Sequence, residues 1–479
     1  MFTLEAHTSV PLVQQIVSNF INLIEENKLR AGAKLPSIRQ FAKSHAVSVF
    51  TVADAYDRLV AQGYLVSRAN TGFFVRRTAF VDTPSAEGGI RRRAPFDSMW
   101  CLREVFENRG LALKPGCGWL PDTWLFKEGV QRGFRALAAD GNDLGGYGDP
   151  LGYKPLRQVI RDLMSEQEIT VNLGQVLLTQ GSSQAMDLAA RSLVKPGDAV
   201  LVDDPGYANQ LFSLRFMGAR LLGVPRTPDG YDIAAMERLI EEHRPSVFFT
   251  QPRLHSPTGS VASLSQMHRV LSLIEKHDMV LVENDIYADL DLVARQSFAS
   301  LDQLTRVVYI RSFSKTMSPN LRTGYVVANP DLIEEFAQLK MMSGLTSSEI
   351  SERIAHHVLT DGRWRKHLKN VQARLAEAHQ QTSTRLTDLG FRIFAEPKSG
   401  LFLWAHHPDI DDTAILSTEA TDRDIMMGPG HLYSTSLEPT HWLRFNPAFC
   451  QDDRIYSFLE QACKRHAALR DEQPLSAAA

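Results

Sequence analysis

Through most of this 479-residue chain, short apolar runs alternate with segments of helical period. From about residue 170 the runs fall at 176–179, 199–202, 247–250, 280–283, 307–311 and 324–328. Runs of this length suit strands covered on both faces, and strands separated by helices are joined in parallel. The pattern predicts an α/β body with a mostly parallel sheet wrapped by helices. Such sheets bind ligands just beyond their strand ends, and that is where the polar motifs sit.

The sharpest of these motifs is Ser312-Phe313-Ser314-Lys315, with Arg322 seven residues on in Leu321-Arg322-Thr323-Gly324-Tyr325. A lysine held there can form a Schiff base with an aldehyde cofactor, and the hydroxyls and the arginine can hold that cofactor's phosphate. The segment resembles the pyridoxal phosphate lysine segment of class I aminotransferases. In Thr179-Gln180-Gly181-Ser182-Ser183 a glycine turn leads into a helix whose free N–H groups and hydroxyls can cradle a phosphate. Tyr207, in Asp204-Pro205-Gly206-Tyr207, can stack on a pyridine ring. In Glu283-Asn284-Asp285-Ile286-Tyr287 the tyrosine can reach a phenolic oxygen, and an acid can keep a pyridine nitrogen protonated. Arg444, in Trp442-Leu443-Arg444-Phe445-Asn446, offers a strand-borne fork for a substrate carboxylate.

The first ~75 residues are of another kind. Leu12, Ile16, Phe20 and Leu23/Ile24 recur at helical spacing, and Gly32 and Pro36 break the pattern. Ser37 can cap a second helix from Ile38 to about Ser44, and His45-Ala46-Val47 makes a turn. Ser48 can cap a third helix to about Gln62, with Val52, Ala55, Tyr56 and Leu59 on its inner face. Two short strands, 64–67 and 72–75, flank Arg68-Ala69-Asn70-Thr71. Three helices and a β-wing of this kind lay the third helix in the DNA major groove. Ser48 and Thr51 would then reach phosphates or bases, and Arg39 and Arg68 would add backbone contacts.

Charge is consistent with this division. The net charge is −3, yet residues 1–78 hold nine Lys/Arg and five Asp/Glu, a net of +4, which leaves −7 for the rest. A mildly basic head on an acidic body suits a head that meets DNA. Residues 79–100 read as a polar, turn-rich linker with a basic tether at Arg91-Arg92-Arg93. No run of 18 apolar residues and no basic-then-apolar leader is present, so a cytoplasmic protein is expected. The four cysteines, Cys101, Cys117, Cys450 and Cys463, are scattered without metal-ligand spacing and are expected reduced.

The order Leu-Pro-Ser-Ile-Arg, Val-Ser, Thr-Val, Gly-Tyr-Leu and Gly-Phe-Phe-Val resembles the GntR-type winged helix over residues 10–76. It departs at Val49, where that family commonly has arginine. The body resembles pyridoxal phosphate fold-type I aminotransferases over about residues 100–465. That resemblance implies an internal aldimine at Lys315, a phosphate held by Ser182, Ser183, Ser312 and Arg322, Tyr207 stacked on the ring, and Ser314 among the cofactor-binding residues. Tyr147 matches the tyrosine that reaches the phosphate from a partner subunit, which implies a homodimer with shared sites. A smaller C-terminal domain would carry Arg444. There are two departures: Ser256-Pro257-Thr258-Gly259 replaces Asn-Pro-Thr-Gly, and Asn284 stands three residues before Tyr287 where a carboxylate is usual. Either Asn284 or Asp285 would face the ring nitrogen.

Head and body together resemble MocR-type transcriptional regulators, with residues 1–78 the winged helix, 79–100 the linker and 101–479 the aminotransferase-like part. The implied function is a pyridoxal phosphate-dependent regulator of a double-stranded DNA operator. It would sense the cofactor, or an amine or amino-acid effector, through an aldimine at Lys315. The alternative is a working aminotransferase with a DNA-binding appendage.

Overall fold

Two serines set the geometry of the head. The computed structural model describes residues 4, 10–25, 28–29, 32–68, 71–76, 111–139 and 145–471. The linker at 79–100, its Arg91-Arg92-Arg93 and Cys101 lie outside the described residues. Helix α1 spans Leu12–Glu25, α2 Ile38–His45 and α3 Val49–Ala61. Ser37 caps α2 by accepting from the Gln40 amide, and Ser48 caps α3 by accepting from the Thr51 amide at 3.0 Å. Each serine satisfies a helix-end N–H that would otherwise be orphaned. Ala46, at φ 51°, closes α2 and turns the chain directly into α3.

Once the three helices are angled in this way, their apolar stripes meet. Ile16, Phe20, Phe41, Val52, Tyr56 and Leu59 are all buried in one cluster. Each such side chain contributes roughly 1.5–3 kcal/mol of burial. The Tyr56 hydroxyl donates to the Pro36 carbonyl at 3.1 Å, tying α3 to the entry of α2. The wing is an antiparallel pair, β1 Leu65–Arg68 and β2 Gly72–Val75. Strand β1 begins one residue later than the sequence suggests, because the Tyr64 amide is still bonded to the Leu59 carbonyl at the end of α3. Arg68 therefore ends the strand and lays its guanidinium 4.8 Å from the Phe74 ring centroid.

The chain divides into two compact units, residues 1–96 and 97–479. The second is built on an eight-stranded sheet in the order β3-β10-β9-β8-β7-β4-β5-β6. These strands are β3 Val176–Thr179, β4 Ala199–Asp204, β5 Arg220–Thr227, β6 Gly230–Tyr231, β7 Val247–Thr250, β8 Val280–Asn284, β9 Val307–Ser312 and β10 Gly324–Val327. Pairs β4–β5, β4–β7, β7–β8 and β8–β9 are parallel, and β10 runs antiparallel between β3 and β9. The period-2 alternation of side chains splits the strands between two cores. Leu178, Leu201, Phe248 and Leu281 enter one, while their neighbours Leu177, Val202, Phe249 and Val282 enter the other.

Strands β5 and β6 were not expected. In β5, Gly223 and Pro225 interrupt the apolar run, yet Leu222, Val224 and Arg226 are buried on one face, as a near-edge strand requires. A second, four-stranded antiparallel sheet follows in the order β11-β12-β14-β13. It consists of β11 Arg392–Ile393, β12 Leu403–His406, β13 Gly428–Pro429 and β14 Trp442–Phe445. It has its own core, including Leu403, Ile410, Leu416, Leu443 and Phe445. Among the described residues no helix is long and apolar enough to cross a membrane.

Candidate cofactor cleft

Strands β4, β7, β8 and β9 all end on the same edge of the large sheet. Tyr207, Gln251, Asn284 and Lys315 follow or close those ends, so the fold delivers them to the same edge, where Tyr207, Gln251 and Asn284 line one recess. Lys315 donates from Nζ to the Gly118 carbonyl at 2.7 Å, and the amine stands 5.7 Å from the Tyr287 ring centroid. Burial, reinforced by the positive charge of Arg444, pulls the lysine down to about 8. An amine so poised is a far better nucleophile at neutral pH than a surface lysine.

Beside it lies an anion cup. Gly181, at φ 76°, turns β3 into the helix Ser182–Leu193 and leaves that helix's first N–H groups open. Arg322 stands over this turn and donates to the Gln180 carbonyl at 3.0 Å. A Cβ on residue 181 would lie 2.8 Å from the Arg322 guanidinium, and its positive φ is one that other residues rarely adopt, so glycine suits the turn. Ser312 and Ser314 are buried and bonded to each other, Oγ to Oγ at 3.0 Å. A helix N-terminus with a facing arginine is an arrangement for a phosphate.

The remaining site residues are placed as follows. Tyr207 is half-buried at the start of the helix Ala208–Phe216, and its hydroxyl accepts from Asn209 at 3.2 Å. Tyr287 is fully buried, and burial pushes its phenol up. Asn284 is 2 % exposed, and neither polar atom of its amide has a hydrogen-bond partner among the described residues. It lines a recess with Tyr207, Gln210 and Gln251 on the polar side and Met186, Val202 and Phe249 on the apolar side. Asp285 points elsewhere: its carboxylate receives Arg253 at 3.0 and 2.6 Å and the Tyr309 hydroxyl at 2.7 Å. Of the two residues left open by the sequence, Asn284 is the one at the recess.

Ser256 donates its amide to the Gln251 side-chain oxygen at 3.1 Å and accepts from Arg444 at 3.3 Å. Arg444 also donates to the Gly116 carbonyl at 2.6 Å, with its guanidinium between the Phe402 and Tyr433 rings at 4.6 and 4.8 Å. The small sheet thereby brings its arginine to the cleft. Tyr147 is not brought in: it is 85 % exposed on its own chain. Four residues gave no signal in the sequence. Cys117 and Gly118 approach Lys315 from a distant loop, with burial pushing the Cys117 thiol up to about 11. Gln210 and Gln251 line the recess as isolated amides that belong to no motif.

In the head, Arg39 and Arg68 are exposed. The hydroxyls of Ser48 and Thr51 are bonded to each other at 2.7 Å, so part of their capacity is spent on the cap. Phe50, on the first turn of α3, is 89 % exposed, and its neighbour Val49 is half exposed.

Comparison with known proteins agrees with both units. The family "Aminotransferase class I and II" matches residues 122–461, and "Bacterial regulatory proteins, gntR family" matches residues 12–75. The HTH-type transcriptional regulator YdfD of Bacillus subtilis (strain 168) is 25% identical over 92% of this chain and 93% of its own length. The protein named "Probable rhizopine catabolism regulatory protein MocR", from Rhizobium meliloti, is 29% identical over 79% of this chain and 77% of its own. Among solved structures, the α-aminoadipate aminotransferase LysN of Thermus thermophilus, complexed with N-(5'-phosphopyridoxyl)-L-leucine, superposes with a TM-score of 0.71. That match has 26% identity and covers 77% of this chain and 95% of LysN. The chain belongs to the aminotransferase class I and II family and carries a gntR-family regulatory domain at its head, the architecture of its relatives named MocR and HTH-type regulator.

Proposed function

We propose that this chain is a DNA-binding transcription regulator that carries pyridoxal 5'-phosphate at Lys315 and answers to an amine or amino acid in the same cleft. The observation that carries the reading is the half-buried Lys315, its amine held by the Gly118 carbonyl and lowered to about 8 beside an anion cup, on a chain with a gntR-family head. The residues fit the cofactor: the glycine turn at Gly181 admits Arg322, and Asn284 keeps an unpartnered amide in the recess. Pyridoxal phosphate, when bound, supplies an aldehyde that condenses with primary amines and a ring that draws electrons from the carbon so attached.

In this reading Ser182, Ser183, Ser312, Ser314 and Arg322 bind the phosphate, Tyr207 stacks on the ring and Tyr287 approaches the phenolic oxygen. Arg444 orients the effector's carboxylate, with its guanidinium held between two aromatic rings. Tyr147, exposed on its own chain, reaches the cleft of a second copy, which makes the working unit a homodimer. The functional division is residues 1–78 for DNA, 79–100 for the linker and 101–479 for the cofactor. Arg39, Ser48, Thr51 and Arg68 meet an operator in the cytoplasm. Occupancy of the cleft favours one body conformation and so changes how two heads are spaced on DNA.

The test is operator binding by the full chain with and without pyridoxal phosphate, and by Lys315→Ala. Affinity that changes with the cofactor in the wild type alone supports sensing; equal affinity in all arms sinks it. A second reading, a working aminotransferase with a DNA-binding appendage, draws on the approach of Arg444 to the cleft and on the likeness to LysN. Sustained turnover of amines to keto acids at enzyme-like rates would favour it.

A further inference from the structure

The recess at the end of β8 is floored by amides. Asn284 is 2 % exposed with both amide atoms unpartnered, and Gln251 (2 %) and Gln210 (6 %) each leave Nε2 unpartnered among the described residues. All three line the same recess beside Tyr207. Leaving a buried polar group unsatisfied costs about 1–3 kcal/mol. Three amides with unpartnered polar atoms around one space point to a polar ligand that hydrogen-bonds there.

The carboxylates around this floor are already spent. Asp285, from the end of β8, is held by Arg253 and the Tyr309 hydroxyl. Asp203, on β4, borders the recess but receives the Thr250 hydroxyl at 2.9 Å and the Gln251 amide at 2.9 Å. His255 Nε2 lies 3.3 Å and Arg226 3.6 Å from the same carboxylate. Although burial alone would raise Asp203, Arg226 and His255 hold it below the usual carboxylate range. Burial and Arg226 in turn push His255 down to about 4, leaving it neutral. Glu283 accepts the amides of Phe298 and Ala299. Among the described residues, Asp203 is the one carboxylate that lines the recess, and Arg226 already balances its charge.

This inference rests on the pyridoxal phosphate reading. In that cofactor the ring nitrogen lies opposite the aldehyde carbon, so a ring anchored at Lys315 turns its nitrogen away from the lysine. We infer that the amide floor, with Asn284 as the direct donor and Gln251 and Gln210 around it, holds the ring nitrogen as a neutral, unprotonated pyridine. An amide can donate to that nitrogen, but it cannot balance a buried pyridinium, and an isolated buried charge is strongly disfavoured. The aldehyde keeps its reactivity toward amines, while the ring loses most of its power to stabilise a carbanion. Such a cleft registers an amine without consuming it.

The test is nitrogen NMR of the full chain loaded with pyridoxal phosphate labelled with 15N in the ring. The wild type is expected to show the shift of a neutral pyridine at neutral pH. Asn284→Asp is expected to move the signal to a pyridinium and to speed conversion of a bound amine to ketone by ~10-fold or more. A pyridinium signal in the wild type overturns the inference; if that signal is lost in Asp203→Asn, Asp203 is the partner. A neutral signal unmoved in folded, loaded Asn284→Asp removes Asn284 as the donor and overturns the inference as well. No protein-bound label at all would instead defeat the pyridoxal phosphate reading, and the inference with it.

Discussion

Arg253 and Asp285 form a two-point ion pair in the interior of the body, Nε to Oδ1 at 3.0 Å and Nη2 to Oδ2 at 2.6 Å. Both residues are buried, and the Tyr309 hydroxyl completes the set. This pair takes the carboxylate that follows Asn284 in the chain out of the recess. Removing one partner strands a buried charge, which typically costs about 3–5 kcal/mol, whereas replacing both by apolar groups is often close to neutral. Arg253→Met should therefore lower the unfolding free energy by several kcal/mol in urea titration. Arg253→Met with Asp285→Leu should recover most of it. A single variant as stable as wild type would show that the pair carries no such strain on removal.

Lys315 sets a pH dependence with a definite sign. Its amine is lowered from 10.5 to about 8, chiefly by burial and then by Arg444. The neutral, reactive fraction should rise through about pH 8, so the rate of cofactor uptake by the apo chain should climb there, and Lys315→Ala should abolish the climb. For stability, the unfolded chain binds more protons than the folded one between about 8 and 10.5. The penalty of the buried ammonium is therefore full below that window and relieved as pH rises through it. An uptake midpoint near 10.5 would contradict the buried environment of this amine.

The reason these features differ in legibility is physical. Strands β3 and β7 were readable to the residue because they are covered on both faces and so are continuously apolar. Strand β5 was not, since Gly223 and Pro225 break the run that its partner β4 nonetheless holds in register. The lysine segment, the Gly181 turn and Arg322 stand out in the sequence because each is a short local motif, and the fold sets Arg322 over that turn. The choice between Asn284 and Asp285 could not, because it depends on Arg253, 32 positions from Asp285 in the chain. Gln210, Gln251 and Cys117 reach the cleft through tertiary packing alone, and no local pattern marks them.

Gly181→Ala tests the anion cup. Residue 181 sits at φ 76°, and an added Cβ would meet the Arg322 guanidinium at 2.8 Å. Holding alanine at φ 76° and ψ 171°, a region that is essentially glycine-only, costs about 1–3 kcal/mol, and the displaced arginine adds to that. Affinity for pyridoxal phosphate should fall by roughly 10-fold or more, read by spectral titration, with the denaturation midpoint shifted only modestly. Unchanged affinity would mean that the phosphate does not use this turn.

The two ends of the first turn of α3 should separate folding from DNA binding. Ser48 caps the helix through the Thr51 amide, so Ser48→Ala should cost about 1 kcal/mol in unfolding free energy. Phe50 is 89 % exposed, so Phe50→Ala should change stability by no more than about 0.5 kcal/mol. Yet an exposed phenyl ring at the start of a recognition helix is placed to touch a thymine methyl in the major groove. On a duplex selected by the wild-type chain, Phe50→Ala should weaken binding several-fold. Replacing the contacted thymine by deoxyuridine, which removes only the methyl group, should weaken the wild type to a similar degree and leave the variant unaffected. Equal wild-type affinity for every thymine-to-deoxyuridine duplex would show that Phe50 does not read DNA in this way.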